Sequence, residues 1–193
     1  MIGLVLPDIR FEDELLARAK RGNQSAVMEI YDRYALALYQ YVHLRVGDRA
    51  LAEDITSEIF VAFIDSLQGK NAPRYSLRGW LFGVARNLIA HHYRDAGKLP
   101  QVTLEEWVPA DIKDPEAQLL HSIDVEQTRH ALRMLNTEQQ EVLILRFGQL
   151  MSLRETAEVM GKSVSAIKSL QFRAVETLRQ ILDVSSEGSY GQS

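Results

Sequence analysis

The sequence contains no cysteine among its 193 residues, which excludes disulfides, a thiolate nucleophile and cysteine-based metal sites. Its five histidines follow no HExxH or other ligand spacing, so we expect neither a bound metal nor a cofactor. It has no Ser/His/Asp set and no glycine-rich phosphate loop, which argues against an enzyme. The apolar run near the N-terminus is short, lacks a basic leader and ends at Pro7. We therefore expect no signal peptide, no membrane insertion and a cytoplasmic protein.

The net charge of −4 is unusual for a protein that binds nucleic acid, but the charges are distributed unevenly. Residues 67–98 contain six Lys/Arg and one acid, or +5, and residues 129–182 contain eight and five, or +3. By contrast, residues 11–66 contain six Lys/Arg against ten acids, or −4, and residues 99–128 contain one against seven, or −6. Two basic segments separated by an acidic one predict two nucleic-acid sites on one chain.

The first basic segment contains a predicted helix from Tyr75 to Arg94, with Ser76 as its N-cap. One side of this helix is an apolar stripe, formed at helical spacing by Leu77, Leu81, Val84 and Leu88. Cations and polar groups lie off that stripe, interleaved with rings: Arg78, Arg86, Asn87, His91, Arg94, Trp80, Phe82 and Tyr93. Cations can track phosphates, rings can stack on bases and Asn can contact a base edge, which suits an unpaired strand. The alternative is an amphipathic helix whose aromatics are core residues, and for Trp80 alone this alternative is favoured.

The rest of the pattern predicts an all-α protein with two helical domains joined by a flexible linker. Three helices precede the basic helix, at Phe11–Arg21, Ser25–Val46 and Arg49–Leu67; Gly47 ends the second and Asp48 caps the third. Pro100 and Pro109 interrupt the predicted linker, residues 95–114, and Pro115 directly follows it. Asp114-Pro115 begins a helix that is predicted to continue to about Leu135. Residues 185–193 are rich in Ser and Gly and are predicted to be disordered.

The C-terminal half predicts a helix-turn-helix. Thr137-Glu138-Gln139-Gln140 and Ser152-Leu153-Arg154-Glu155 are each read as a capping box, and Ser163 caps a final helix over Val164–Leu182. Ala157 permits close helix crossing, Gly161 permits the positive φ of the turn, and Ile167 packs the second helix on the first. The outward face of the final helix carries Ser165, Lys168, Ser169, Phe172 and Arg173, which suits a major groove. A generic helical hairpin with a basic face is the alternative.

Three segments together resemble the extracytoplasmic-function (ECF) group of the sigma-70 family, the bacterial transcription initiation factors. AEDITSEIF resembles the segment that docks on the β′ clamp helices of RNA polymerase, and RGWLFGVARNLIAHHYR resembles the minus-ten promoter segment. SLRETAEVMGKSVSAIKSLQFRA resembles the helix-turn-helix for the minus-thirty-five element. The match runs from about Phe11 to Leu182. It departs from the family pattern at Ser57, where Gln is usual, at Thr156, and at Leu170 and Phe172, where many members carry Arg and His.

The resemblance assigns roles to individual residues. The core-polymerase contact falls on Asp54, Ile55, Glu58 and Phe60, although in isolation the acids read as a solvated surface. The minus-ten contact, including a loop at Gln68–Arg74 that captures a flipped base, falls on Lys70, Asn71, Arg74, Arg78, Arg86, Asn87 and His91. The minus-thirty-five contact falls on Arg154, Ser163, Ser165, Ala166, Lys168, Ser169, Phe172 and Arg173. The implied domains are an N-terminal tail (1–10), region 2 (11–95), an acidic linker (96–114), region 4 (115–182) and a disordered tail (183–193).

The implied function is to direct core polymerase to the promoters of a specific regulon and to melt the minus-ten region. The implied partners are the RNA polymerase core, through its β′ clamp helices and β flap, promoter DNA, and an anti-sigma factor. Two rival hypotheses remain at this stage. One is a conventional helix-turn-helix regulator with an N-terminal sensing domain, which would need a ligand pocket or a dimer interface. The other is an enzyme.

Overall fold

A computed structural model describes residues 9–69, 73, 76–95 and 131–189. Every regular element within these ranges is helical, which confirms the predicted all-α class. The helices are α1 (Ile9–Lys20), α2 (Gln24–Val46), α3 (Arg49–Leu67), α4 (Leu77–Asp95), α5 (Thr137–Leu143), α6 (Leu153–Met160) and α7 (Val164–Ser189). A π-helical turn, Ile144–Gly148, directly continues α5. None of the helices in the described ranges has the length and apolarity needed to cross a membrane.

Helices α1–α4 form the N-terminal domain, and their boundaries follow local signals. Gly47 adopts the left-handed conformation that ends α2, with φ 68°, as predicted. Asp48 caps α3, because its carboxylate accepts a hydrogen bond from the Leu51 amide at 2.8 Å. Ser76 likewise accepts from the Gly79 amide at 3.0 Å and caps α4. The chain can therefore place these three helix ends without help from tertiary contacts.

The core of the N-terminal domain is built from large side chains that face inward at helical spacing. Its fully buried members are Leu15, Ile30, Tyr34, Leu38, Tyr41, Ile59, Phe63, Leu81 and Phe82. The buried face of α4 is rotated from the predicted stripe: Leu77 and Leu81 are buried as expected, but Val84 and Leu88 are only half-buried. Trp80 is also half-buried and packs its ring edge-on to Phe63, with centroids 6.1 Å apart. Thus the core interpretation holds for most of this ring.

A buried acid gives this core a pH dependence. Glu12 accepts a hydrogen bond from the Tyr34 hydroxyl at 2.6 Å, and burial raises the pKa of Glu12 above its usual 4.5. The folded state then binds more protons at this site than the unfolded state, so its contribution to stability falls as pH rises above about 4.5. We expect Glu12→Gln to reduce the decline of unfolding free energy between pH 5 and pH 7. Urea unfolding at several pH values measures this, and an unchanged slope contradicts it.

Helices α5–α7 form the C-terminal domain, and one predicted cap was wrong by one residue. Asn136, not Thr137, is the N-cap of α5: its side chain accepts from the Gln139 amide, and the Gln139 side chain accepts from the Asn136 amide. Asn is at least as good an N-cap as Thr, and the box closes with Gln139 at the third helical position. The helix also does not run regularly to Phe147, because the π-helical turn intervenes.

The helix-turn-helix geometry agrees with the prediction. Ser152 and Glu155 form a capping box at the start of α6, and Gly161 has a positive φ of 63° at its end. Ser163 caps α7 by accepting from the Ala166 amide, and Ile167 is fully buried. One detail differs: the helix extends to Ser189, beyond the predicted end at Leu182 and into the tail that was predicted to be disordered, since adding residues to a formed helix costs little.

The two domains pack together mainly through α4 of the first and α6 of the second. The predicted linker, and most of the predicted helix over residues 115–135, lie outside the described residues; residues 131–134 are helical. The domain boundaries given above therefore remain predictions. The packing of the two domains places part of the polar face of α4, at Arg78 and Arg86, against acids of the C-terminal domain.

Candidate polymerase and nucleic-acid interfaces

The outer face of α3 carries the two acids predicted to contact polymerase. Asp54 and Glu58 are both exposed and stand four residues apart, on one side of the helix. Ile55 and Phe60 are buried, at 4% and 7% exposure. In this arrangement the two acids form the accessible part of the surface, and the two apolar side chains support it from behind. The contact of all four with polymerase stays a prediction.

An apolar strip that sequence reasoning missed lies beside these acids. Val61 is 58% and Ile64 is 52% exposed, and Tyr31 of α2, 46% exposed, packs on Phe60 with ring centroids 4.7 Å apart. Acids next to uncovered apolar side chains are typical of a surface that binds another protein. The sequence signal that could have predicted this strip was the position of Val61 and Ile64, because both continue the outer face of α3 beyond Glu58.

The cation-bearing face of α4 is divided in its exposure. Asn87, His91 and Arg94 are exposed. Arg86 is half-buried, and Arg78 is only 1% exposed. Both of these arginines face acids of the C-terminal domain. Lys70, Asn71 and Arg74, the predicted loop contacts, lie outside the described residues.

A single carboxylate oxygen organises the interface between the domains. Glu141 Oε1 accepts hydrogen bonds from Arg86 Nε at 3.0 Å and from the Tyr41 hydroxyl at 3.1 Å. Arg45 Nη1 lies 3.6 Å from the same oxygen. Glu141 is 2% exposed, so these groups replace the water that a charged carboxylate would otherwise need. Burial and the nearby Glu141 charge both raise the pKa of Tyr41 above its ordinary value, so this hydroxyl remains a hydrogen-bond donor.

A second set of contacts lies at the start of α4. Arg78 Nε is 3.2 Å from Glu155 Oε1 of α6. At the next residue, Gly79, an added Cβ would come within 3.0 Å of Glu158 Oε2, which is tighter than ordinary van der Waals contact. The end of the Glu158 side chain thus lies in close contact with the backbone of α4, next to the Arg78–Glu155 ion pair.

The outer face of α7 is open to solvent. Ser163, Ser165, Ala166, Lys168, Ser169, Phe172 and Arg173 are all exposed, and so is Arg154 of α6. Phe172 is 67% exposed. Ser163 and Ser165 share a hydrogen bond at 3.1 Å, and Arg173 Nε donates to the Ser169 carbonyl at 3.4 Å. The structure therefore brings all eight predicted minus-thirty-five residues to the surface of one helix-turn-helix; their contact with DNA stays a prediction.

Comparison with known proteins assigns both domains to one family. The family model described as Sigma-70 region 2 matches residues 30–99, and the one described as Sigma-70, region 4 matches residues 131–180. The ECF RNA polymerase sigma factor SigD of Mycobacterium tuberculosis is 30% identical over 190 residues, covering 92% of this chain and 86% of SigD. The chain is an ECF sigma factor.

Two further similarities agree with this assignment. The ECF RNA polymerase sigma factor BldN of Streptomyces coelicolor is 40% identical over 171 residues, covering 88% of this chain; the chain spans 65% of the length of BldN. The solved structure of CnrH in complex with the cytosolic domain of CnrY has a TM-score of 0.64 at 25% identity, covering 90% of this sigma factor and 97% of that chain; CnrH is a sigma factor of Cupriavidus metallidurans. As a member of this family, the sigma factor is a transcription initiation factor that directs RNA polymerase to promoters.

Sequence reasoning about the sigma factor missed the acids that face α4. Both acids, Glu141 and Glu155, belong to the second basic segment; no role was predicted for Glu141, and Glu155 was predicted only as a capping residue. Arg86 and Glu141 are 55 residues apart in sequence, and no local pattern connects them. The only signal was the charge alternation along the chain, which indicates that opposite charges could meet but not which ones.

Proposed function

We propose that this sigma factor docks on the polymerase core through α3, melts the minus-ten region of promoters through α4 and the loop before it, and reads the minus-thirty-five element with α7. The observation that carries this proposal is the presence of regions 2 and 4 of one family, in order, on one chain. The exposed faces of α3 and α7 leave both partner surfaces accessible.

The docking step rests on the outer face of α3. Asp54 and Glu58 supply negative charge, which favours a basic partner surface, and Tyr31, Val61 and Ile64 supply apolar contact area beside it. The β′ clamp helices are the proposed partner of this face, with the β flap binding the C-terminal domain. Acids four residues apart lie on one side of a helix, so Asp54 and Glu58 can both face the same partner helix.

Strand capture rests on α4. Asn87 and His91 are exposed on its polar face, with Arg78 and Arg86 as the proposed phosphate contacts. Lys70, Asn71 and Arg74 are proposed to hold a base flipped out of the duplex. Unstacking a base costs a few kcal/mol, so the strand must be bound by groups that are already positioned when the duplex opens.

Three further properties complete the proposal. The sigma factor acts in the cytoplasm, where bacterial polymerase and promoters are found. It has no catalytic chemistry of its own, since bond formation belongs to the core enzyme. An anti-sigma factor is proposed as its regulatory partner, supported by the similarity to CnrH, which has been solved with the cytosolic domain of CnrY.

Sequencing the transcripts made by core polymerase with this protein tests the proposal as a whole. Within that assay we expect Asn87→Ala to reduce open-complex formation on duplex promoters by about tenfold, as for the loss of one good base contact. The loss should be smaller on templates already mismatched over the minus-ten region, because the cost of melting has been removed. Permanganate footprinting measures the open complex.

The exposed Gln180 on α7 provides the control for this substitution, since Gln180→Ala also removes an amide but lies in the other domain and outside the residues proposed to contact DNA. Equal loss with Asn87→Ala on both templates would indicate a fold defect. A conventional regulator is the alternative: tight binding of the free protein, as a dimer, to one palindromic site would replace the sigma-factor proposal.

A further inference from the structure

A cavity of about 520 Å³ lies at the end of the N-terminal domain where α1 ends, α2 begins and α3 ends. Its walls are mostly apolar and are formed by Ala19, Val27, Met28, Ile64 and Leu67. Met28 is 58% and Ile64 is 52% exposed, so the cavity is open to a ligand from solvent. Cavities of this size and lining are typical of sites that bind small organic groups. The apolar strip beside Asp54 and Glu58 reaches this cavity at Ile64, and its other walls belong to neither partner surface described above.

Polar groups stand at the rim of the cavity. Gln24 lines it from the start of α2 and Gln68 from the end of α3, and both are exposed. Each amide offers donors and an acceptor, the combination that pairs with the edge of a nucleobase. Lys20 also lines the cavity, and the following residue, Arg21, is exposed. Apolar walls below amides and cations are the combination with which proteins hold an unstacked base and its phosphate.

The cavity adjoins the loop that leads to α4. Lys20 Nζ donates a hydrogen bond to the Pro73 carbonyl at 3.2 Å, across 53 residues of sequence, and Pro73 is buried. Gln68 is the first residue of the same loop, Gln68–Arg74. One side chain of α1 thus ties the rim of the cavity to the end of the loop that is proposed to hold a flipped base. A strand held by this loop therefore lies beside the mouth of the cavity.

We propose that this cavity, called the corner pocket below, takes a second base of the unpaired promoter strand, next to the base that the loop captures. The proposal rests on the proposed strand capture by α4 and its loop. Met28 and Leu67 supply apolar surface against which the base packs, and Gln24 and Gln68 contact its edge. An ammonium has three donors, of which the Pro73 carbonyl uses one, so Lys20 can fix the loop and bind a phosphate together.

Charge separates the corner pocket from the surface proposed to bind polymerase. The first half of α3 carries the exposed acids Asp54 and Glu58, whereas the last turn of α3 meets the exposed cations Lys20 and Arg21. A basic rim favours the phosphates of a DNA strand and disfavours a basic protein surface. The two ends of α3 therefore suit partners of opposite charge, and the corner pocket suits DNA.

The test uses holoenzyme, assembled from core polymerase and the full sigma factor, on templates mismatched from the minus-ten region to the start site. An abasic residue replaces the non-template nucleotides one position at a time, which removes one base and keeps its phosphate. We expect two positions at which the abasic residue shortens the lifetime of the open complex by about tenfold, the effect of losing one stacked base. Challenge with heparin followed by a gel shift measures this lifetime.

Filling the corner pocket assigns one of these positions to it. Val27→Phe places a ring in the cavity and should abolish the abasic effect at one position, while the effect at the other remains. Gln24→Ala with Gln68→Ala should weaken the preference for one base at that same position. Val46→Phe is the matched control, because Val46 is also half-buried on α2 but lies at the opposite end of the helix. A Val27→Phe holoenzyme that keeps both abasic effects at wild-type size overturns the proposal.

Met28→Ala tests the same wall without adding volume, and it changes only an exposed side chain. We expect it to reduce the abasic effect at the position assigned by Val27→Phe and to leave co-purification with core polymerase unchanged. Loss of co-purification would assign the cavity to the docking surface and overturn the proposal. If Asn87→Ala leaves open-complex formation unchanged, the function assigned to α4 fails. If Asn87→Ala impairs it and no abasic position responds to the pocket variants, only the corner pocket fails.

Discussion

Reversing the charge of both acids on α3, with Asp54→Lys and Glu58→Lys, is expected to abolish co-purification with the polymerase core and leave the fold intact. Both side chains are exposed, and exposed charges contribute little to stability. At a protein interface, by contrast, like charges placed opposite each other cost several kcal/mol and suppress association. Pull-down of core polymerase by the tagged variant, with circular dichroism and thermal unfolding as the fold check, measures both parts.

The matched control changes the same total charge elsewhere. Asp13 and Glu14 are exposed acids on α1, and replacing both by Lys alters the net charge by as much as the α3 double variant does. We expect this control to bind core polymerase normally. Normal core binding by a folded Asp54→Lys, Glu58→Lys protein would exclude the outer face of α3 as the docking surface.

Placing a charge inside the helix-turn-helix is expected to have the largest effect on stability. Ile167 is fully buried where α7 packs on α6, so Ile167→Asp would bury a carboxylate with no counter-charge. An uncompensated buried charge costs about 3–5 kcal/mol, a large share of the stability of a small domain. We expect the C-terminal domain to unfold and binding to the minus-thirty-five element to be lost.

The conservative change at the same position separates packing from polarity. Ile167→Val removes one buried methyl group and should cost about 0.5–1.5 kcal/mol, with binding to minus-thirty-five DNA retained. Denaturant unfolding followed by circular dichroism measures both variants, and fluorescence anisotropy with labelled duplex measures binding. A stable Ile167→Asp protein that still binds this element would mean that Ile167 does not hold the two helices together.

Features encoded by a few neighbouring residues could be predicted from the sequence. Gly47, Asp48, Gly161 and Ser163 act within one helical turn, and each ends or begins a helix as expected. Where two adjacent residues compete for the same local role, the prediction failed by one position, because Asn136 and Thr137 are both competent N-caps.

Features that depend on contacts between distant residues could not be predicted. The environment of Arg78 is the clearest case: its position off the apolar stripe predicted exposure, whereas it is 1% exposed and lies 3.2 Å from Glu155 of the C-terminal domain. Glu141 likewise reads as a surface acid on a short helix, but it is buried by α2 and α4. Charge and periodicity indicated which surfaces are polar, and only the packing of the domains determines which polar surfaces remain open.

The π-helical turn at Ile144–Gly148 bears on insertions and deletions in this chain. It lies between Glu141 on α5, which faces the N-terminal domain, and the loop that leads to the helix-turn-helix. A π turn holds one residue more than regular α-helix, and each helical residue rotates the chain by about 100°. Removing one residue here would therefore change the direction in which the chain leaves α5, although α5 must still pack on α7. A one-residue deletion within this turn is expected to disturb the packing of the C-terminal domain although it leaves the composition nearly unchanged.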